Sequence, residues 1–200
     1  MSQVFKFAEF LERHALSDAH FDLAAELIAP AVDGPWMVGG GVRRLIAQMP
    51  QESDFDVSFS SVEQLIVTRD RLLAKGWNIK RETDAHVELY GKLGKRDGQL
   101  IQLLKLSYPK TLAEVLDGFD FTICQFGYDG ESLVCGEYSL WDLARRRLAL
   151  HKLSFGASSV RRMTKYGKQG FTFCQGTIVS ILEAVAKDPA VIRAEITYVD

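Results

Sequence analysis

Two carboxylates set two residues apart mark the most informative stretch of the chain, Ser53-Asp54-Phe55-Asp56-Val57-Ser58-Phe59. Side chains alternate across a β-strand, so Asp54 and Asp56 share one face while Phe55, Val57 and Phe59 share the other. The apolar face belongs to a core. The acids then lie ~7 Å apart along the strand and repel each other unless a cation sits between them. Mg²⁺ prefers hard oxygen donors, takes one or two carboxylates and leaves room for phosphates. A solvated strand face accommodates the same pattern. Upstream, Val38-Gly39-Gly40-Gly41-Val42-Arg43-Arg44 places three glycines between a short strand, Trp36–Val38, and a helix. Glycine backbone can approach a ligand closely, and a helix start offers free N–H groups to an anion, so Gly39, Gly40 and Gly41 are candidate phosphate ligands with Arg43 and Arg44 beside them. The alternative is a tight turn with no ligand. A third signal is charge. Residues 141–170 hold eight Lys and Arg against the single acid Asp142, a local charge of +7 in a chain of net −2. That block suits a polyanion such as a nucleoside triphosphate or a nucleic acid backbone, or else a solvated helix face.

The elements that position these residues follow from periodicity. Residues 3–14 and 18–29 have helical spacing, the second with Ser17 as N-cap and Pro30 as its stop. The helix after the glycines buries Val42, Leu45, Ile46 and Met49 and ends at Pro50. Residues 61–75 form a strong helix with Val62, Leu65, Ile66, Leu72 and Leu73 on one face. Strands are expected at 77–81, 86–90, 100–106 and 119–126, and an Asp129-Gly130 hairpin turn leads into 133–135. A short helix is expected at 111–116, and helices at 139–147, 159–168 and 175–187, followed by a last short segment. The fold class is α+β: a mixed sheet with helices on one face and a short C-terminal helical cap. The organisation reads as N-terminal helices over 1–33, a central core over 34–138 and a C-terminal helical region over 139–200.

Composition narrows the function classes. At 200 residues, 47% hydrophobic and 25% charged, the chain can bury a core without staples. Cys124, Cys135 and Cys174 are far apart and form no CxxC pair, which argues against a zinc ribbon or disulfide framework. The four histidines show no metal-ligand spacing, and Tyr166 in the basic helix is a candidate for stacking on a base. No apolar run approaches the ~20 residues that span a bilayer, and the N-terminus lacks a signal-peptide core. A soluble, cytoplasmic protein is expected.

Taken together, Gly39-Gly40-Gly41-Val42-Arg43 followed by Asp54-Phe55-Asp56 resembles the head motif of the DNA polymerase β-like nucleotidyltransferase superfamily, in the branch of poly(A) polymerases and CCA-adding tRNA nucleotidyltransferases. The resemblance covers roughly residues 34–170 and implies a nucleotidyltransferase-type mixed sheet. It also implies a third acid in Phe119-Asp120-Phe121-Thr122-Ile123, so that Asp54, Asp56 and Asp120 together hold Mg²⁺ (or Mn²⁺) and carry catalysis. Val160 to Phe171 looks like the arginine-rich helix that faces the nucleotide, which implies that Arg161, Arg162 and Lys165 meet phosphate or base. The implied activity moves a nucleoside monophosphate from a triphosphate such as ATP to a hydroxyl, foremost an RNA (tRNA) 3′ end, and releases pyrophosphate. Nucleotidylation of a protein or small molecule, or a non-catalytic nucleotide- or RNA-binding module, are the alternatives. The chain departs from CCA-adding enzymes in three ways. Ala157-Ser158-Ser159-Val160-Arg161 has the Arg but not the acids of their Glu-Asp-x-x-Arg signature. Arg44 stands where they carry Asp. About thirty residues follow Phe171, too few for their neck, body and tail domains. A genuine CCA-adding enzyme is therefore not expected.

Overall fold

The computed structural model describes residues 2–16, 19–50, 54–153, 156–187 and 189. Two expectations, the Ser17 cap and the last short segment, lie outside the described residues. The chain opens with a strand, β1 (Gln3–Lys6), and two helices, α1 (Phe7–Arg13) and α2 (Ala19–Ile28). Next come β2 (Trp36–Val38), α3 (Gly40–Ile46), β3 (Phe55–Ser58) and α4 (Val62–Ala74). The strands β4 (Asn78–Glu82), β5 (His86–Leu93) and β6 (Arg96–Leu104) form a meander, followed by α5 (Leu112–Asp117). A 3₁₀ turn (Thr122–Cys124) precedes the hairpin β7 (Phe126–Tyr128) and β8 (Ser132–Cys135). The remainder is α6 (Ser139–Ala144), β9 (Arg147–Leu148), α7 (Gly156–Lys168), β10 (Thr172–Phe173) and α8 (Gln175–Lys187). Among the described residues no helix is long and apolar enough to cross a membrane.

The main sheet runs β1-β8-β7-β2-β3-β6-β5-β4 and is mixed, with β3 and β6 parallel and the other pairs antiparallel. Residues 3–6 are thus an edge strand rather than the start of a helix. Pairing of Gln3 with Cys135 and Val4 with Val134 supplies hydrogen bonds that override the local helical pattern. Phe7, Phe10, Phe21, Ala24 and Ile28, all before residue 33, belong to the same apolar cluster as Met37, Phe55, Val57 and Leu89. Helices cover both faces of the sheet, not one. That main cluster fills one face, while α5 packs Leu112 and Leu116 on the other, against Trp36, Val38 and Val134. The alternation Phe55/Val57 into the main cluster therefore turns Asp54 and Asp56 to the α5 side, where Val38 is the cross-strand neighbour of Asp56.

The expected strand over 119–126 is also replaced. Phe121, Thr122, Ile123 and Cys124 are all buried, with no alternation of exposure. The Cys124 amide donates to the Phe121 carbonyl and the Gln125 amide to the Thr122 carbonyl, which closes the 3₁₀ turn, while the Thr122 amide donates across to the Ala149 carbonyl. Both sides of the segment are covered, so nothing holds it as a half-buried strand.

Candidate active site

The glycine turn and the acid pair meet. Gly39 has φ of +73°, and a Cβ placed on it would sit 3.3 Å from Asp56 Oδ2 and 3.6 Å from Phe119 Cζ. Its amide donates to the Phe126 carbonyl at 2.8 Å, and its carbonyl accepts from the Arg43 amide, opening α3. A backbone in this conformation, flush against a carboxylate, requires glycine. Gly39→Ala is expected to cost about 1–2 kcal/mol and to displace the Asp56 carboxylate. Melting temperature checks the first effect and a crystal structure of the variant the second. Gly41 serves packing: a Cβ there would meet Phe55 Cδ1 at 2.7 Å, so α3 lies directly on β3.

Asp54 and Asp56 are half-buried. Burial and, next, the charge of Asp54 push the Asp56 carboxyl up to about 8, against the opposing pull of Lys165, Arg162 and Arg43. Burial and the second carboxylate together thus outweigh the pull of the surrounding cations. The pair's donors are hard oxygens, and their number is what Mg²⁺ takes from protein when a substrate's phosphates supply the rest. The donor set fits that ion.

Asp120 is placed differently from the implied three-acid cluster. Among the described residues, no group of three or more His, Cys, Asp or Glu is disposed to hold a metal ion. Asp120 is 5% exposed, and its Oδ2 accepts from the Ser159 hydroxyl at 2.8 Å and pairs with Arg162 Nη2 at 2.8 Å. Its Oδ1 is buried without a hydrogen-bond partner. The reason is local: Asp120 stands in the bend before the 3₁₀ turn, so its side chain addresses α7 instead of alternating along a strand. Asp120 thus pairs with Arg162, one of the cations that act on Asp56.

Arg43 and Arg44, expected beside the phosphates, are both buried. Arg43 is 2% exposed, with its guanidinium 4.9 Å from the Tyr166 ring centroid and 5.6 Å from that of Phe171. It donates to Gln169 Oε1 at 3.2 Å. Helical rotation from Gly39 carries it inward, where it ties α3 to the C-terminal helices. Arg44 is buried too and donates to the Pro50 carbonyl at 2.7 Å. Tyr166 is core rather than a stacking platform: its hydroxyl lies 3.0 Å from Cys124 Sγ, and its ring is edge-on to Phe121 and Phe171. On α7, the charges of Arg162 and Lys165 lower the Asp56 carboxyl; Arg161 and Lys165 are both exposed. Sequence reasoning missed Ser159; its position three residues before Arg162, on the same helical face, was the available signal.

A family model described as "Gad2: Gabija anti-defense 2 family protein" matches residues 3–146. The chain belongs to the Gabija anti-defense 2 family. No curated protein matches it. Among solved structures, this family member is similar to the Thermotoga maritima CCA-adding enzyme complexed with tRNA, at 19% identity and a TM-score of 0.64, covering 94% of this chain and 47% of that one. A CCA-adding enzyme complexed with ATP gives 20% identity and a TM-score of 0.65, covering 97% and 48%. The Bacillus stearothermophilus CCA-adding enzyme in complex with CTP gives 18% and 0.57, covering 80% and 42%. The Gad2 chain spans a little under half the length of these structures and has the nucleotidyltransferase fold.

Proposed function

We propose that this Gad2 protein is a metal-dependent nucleotidyltransferase. The observation that carries the reading is the contact of the Gly39 turn with Asp56 on a face that Arg162 and Lys165 also address. In this reading Asp54 and Asp56 hold Mg²⁺, or Mn²⁺, beside the triphosphate. When bound there, such an ion would neutralise charge on the phosphates and would lower the pKa of the attacking hydroxyl. Lys165 and the braced guanidinium of Arg162 take phosphate oxygens, with the amides at the start of α3 close to them. The acceptor oxygen attacks the α-phosphorus, its proton passes to the carboxylate pair and on to water, and pyrophosphate leaves.

The acceptor proposed first is an RNA 3′ end, supported by the CTP, ATP and tRNA complexes among the similar structures. A second acceptor class, a protein or small-molecule hydroxyl, is favoured by the family description, which names a defence system rather than tRNA maturation. Incubation with Mg²⁺, each α-labelled triphosphate and a cell extract tests both. Label is expected in RNA; label in protein or in a small product selects the second acceptor class. No label with any triphosphate overturns the enzyme reading.

A further inference from the structure

The outer face of α6 carries a stripe that the proposed chemistry does not use. Tyr138, Trp141 and Arg145 follow one another at spacings of three and four, which aligns them along one side of the helix. Tyr138 is 59% and Trp141 54% exposed, although a fold ordinarily withdraws much of such large rings from water. The exposure does not come from a loose element. On the opposite side Ser139 and Asp142 are buried, and Leu140 and Leu143 pack on the main core. The Thr122 hydroxyl donates to Asp142 Oδ2 at 2.7 Å, which ties α6 to the segment that bears Asp120. The rings are therefore held outward on an element that the core fixes.

The Arg145 guanidinium lies 3.3 Å from the Trp141 ring centroid, a stacked cation on an exposed indole. Arg146 and Arg147 follow it at the surface. Between Tyr138 and Arg147 the only acid is Asp142, and it is buried. Arg147 pairs with the buried Asp142 at 3.7 Å and the exposed Glu137 lies against Tyr138, while the two exposed rings with Arg145 and Arg146 beside them suit bases and phosphates together. A protein partner would call for apolar neighbours that shut water out around the anchors, yet the aliphatic residues of α6 turn inward.

We propose that the Tyr138–Trp141–Arg145 stripe is a stacking platform for single-stranded RNA. It rests on the RNA reading above, but its test measures binding alone. The probe is a fluorescent oligouridylate of roughly 12 nucleotides, titrated by anisotropy across a salt series, with a duplex RNA of the same length as control. The single strand is expected to bind, and the duplex more weakly. Trp141→Ala should weaken binding about 10-fold, since each stacked base contributes on that scale, while Trp141→Phe keeps most of it. Tyr138→Ala should weaken it as well. Arg145→Ala should lower affinity and make the salt dependence shallower by about one counterion. Unchanged melting temperatures and ATP binding in these variants exclude misfolding.

The proposal is overturned if the wild-type protein does not bind the single strand. It is equally overturned if Trp141→Ala and Tyr138→Ala bind RNA as wild type does, including the case where they lose a protein contact instead. RNA binding that depends on Trp141 in a protein that transfers no nucleotide would leave the platform standing and remove only the enzyme reading.

Discussion

Asp56→Asn is expected to abolish nucleotidyl transfer, by about 10³-fold or more, and at the same time to raise the melting temperature of the metal-free protein. Both effects come from one carboxylate. Burial and the neighbouring Asp54 charge hold the Asp56 carboxyl at about 8, far above the usual carboxylate range, with Lys165, Arg162 and Arg43 offsetting only part of the shift. The folded state thus keeps a proton that the unfolded chain has already lost, and stability falls as pH rises from about 4 to about 8. Asparagine does not titrate, so the stability curve of the variant is flatter over that window. The gap between the two proteins is smallest near pH 4 and largest above pH 8, on the order of 1–3 kcal/mol. Cations compete with the same proton, so Mg²⁺ affinity and transfer by the wild-type protein should both climb towards pH 8 and level off beyond it. Melting temperature against pH, Mg²⁺ titration and label incorporation, run on wild type, Asp54→Asn and Asp56→Asn, check these outcomes together. Full activity in either variant refutes the assignment of the pair.

What the sequence made legible were features whose cause is local. The alternation of Asp54 to Phe59 put the acids opposite the core, and Phe55 and Val57 are indeed buried. Ser61 caps α4 by accepting from the Gln64 amide, where periodicity started that helix, and Thr111 does the same for α5. The glycine turn required no tertiary information, because a strand running into a helix needs it. Failures occurred where a distant segment decides. β1 is a strand only because β8, more than a hundred residues away, offers it hydrogen bonds. Phe121 to Cys124 are covered from both sides, which alternation within the segment cannot reveal. Arg43 has the composition of a phosphate ligand, yet it is buried between Tyr166 and Phe171, residues that helical spacing alone does not bring to α3. The sequence resemblance pointed to a catalytic Asp120; the contacts of its carboxylate turn on a serine in α7 that no motif marked.

The pairing of Asp120 with Arg162 has its own expected result. If Asp120 braces Arg162, Asp120→Asn should leave kcat within several-fold of wild type and raise KM for the triphosphate by about 10-fold, the scale of one weakened charge-assisted phosphate contact. Arg162→Ala should show the same rise in KM. It should also lower stability by about 2 kcal/mol, because it strands the Asp120 carboxylate in a buried place with Ser159 as its remaining partner; the partial exposure of the Arg162 side chain keeps the cost below that of a fully buried pair. The two substitutions remove the same ion pair, so in the double variant Asp120→Asn with Arg162→Ala the effects on KM and on melting temperature should fall well short of their sum. A metal ligand behaves otherwise. Were Asp120 the third acid of the site, Asp120→Asn would depress kcat as deeply as Asp56→Asn, and removing Arg162 would not reproduce that loss. Steady-state kinetics on the three variants, with Asp56→Asn as the reference for a lost ligand, separate a site built on two carboxylates from one built on three.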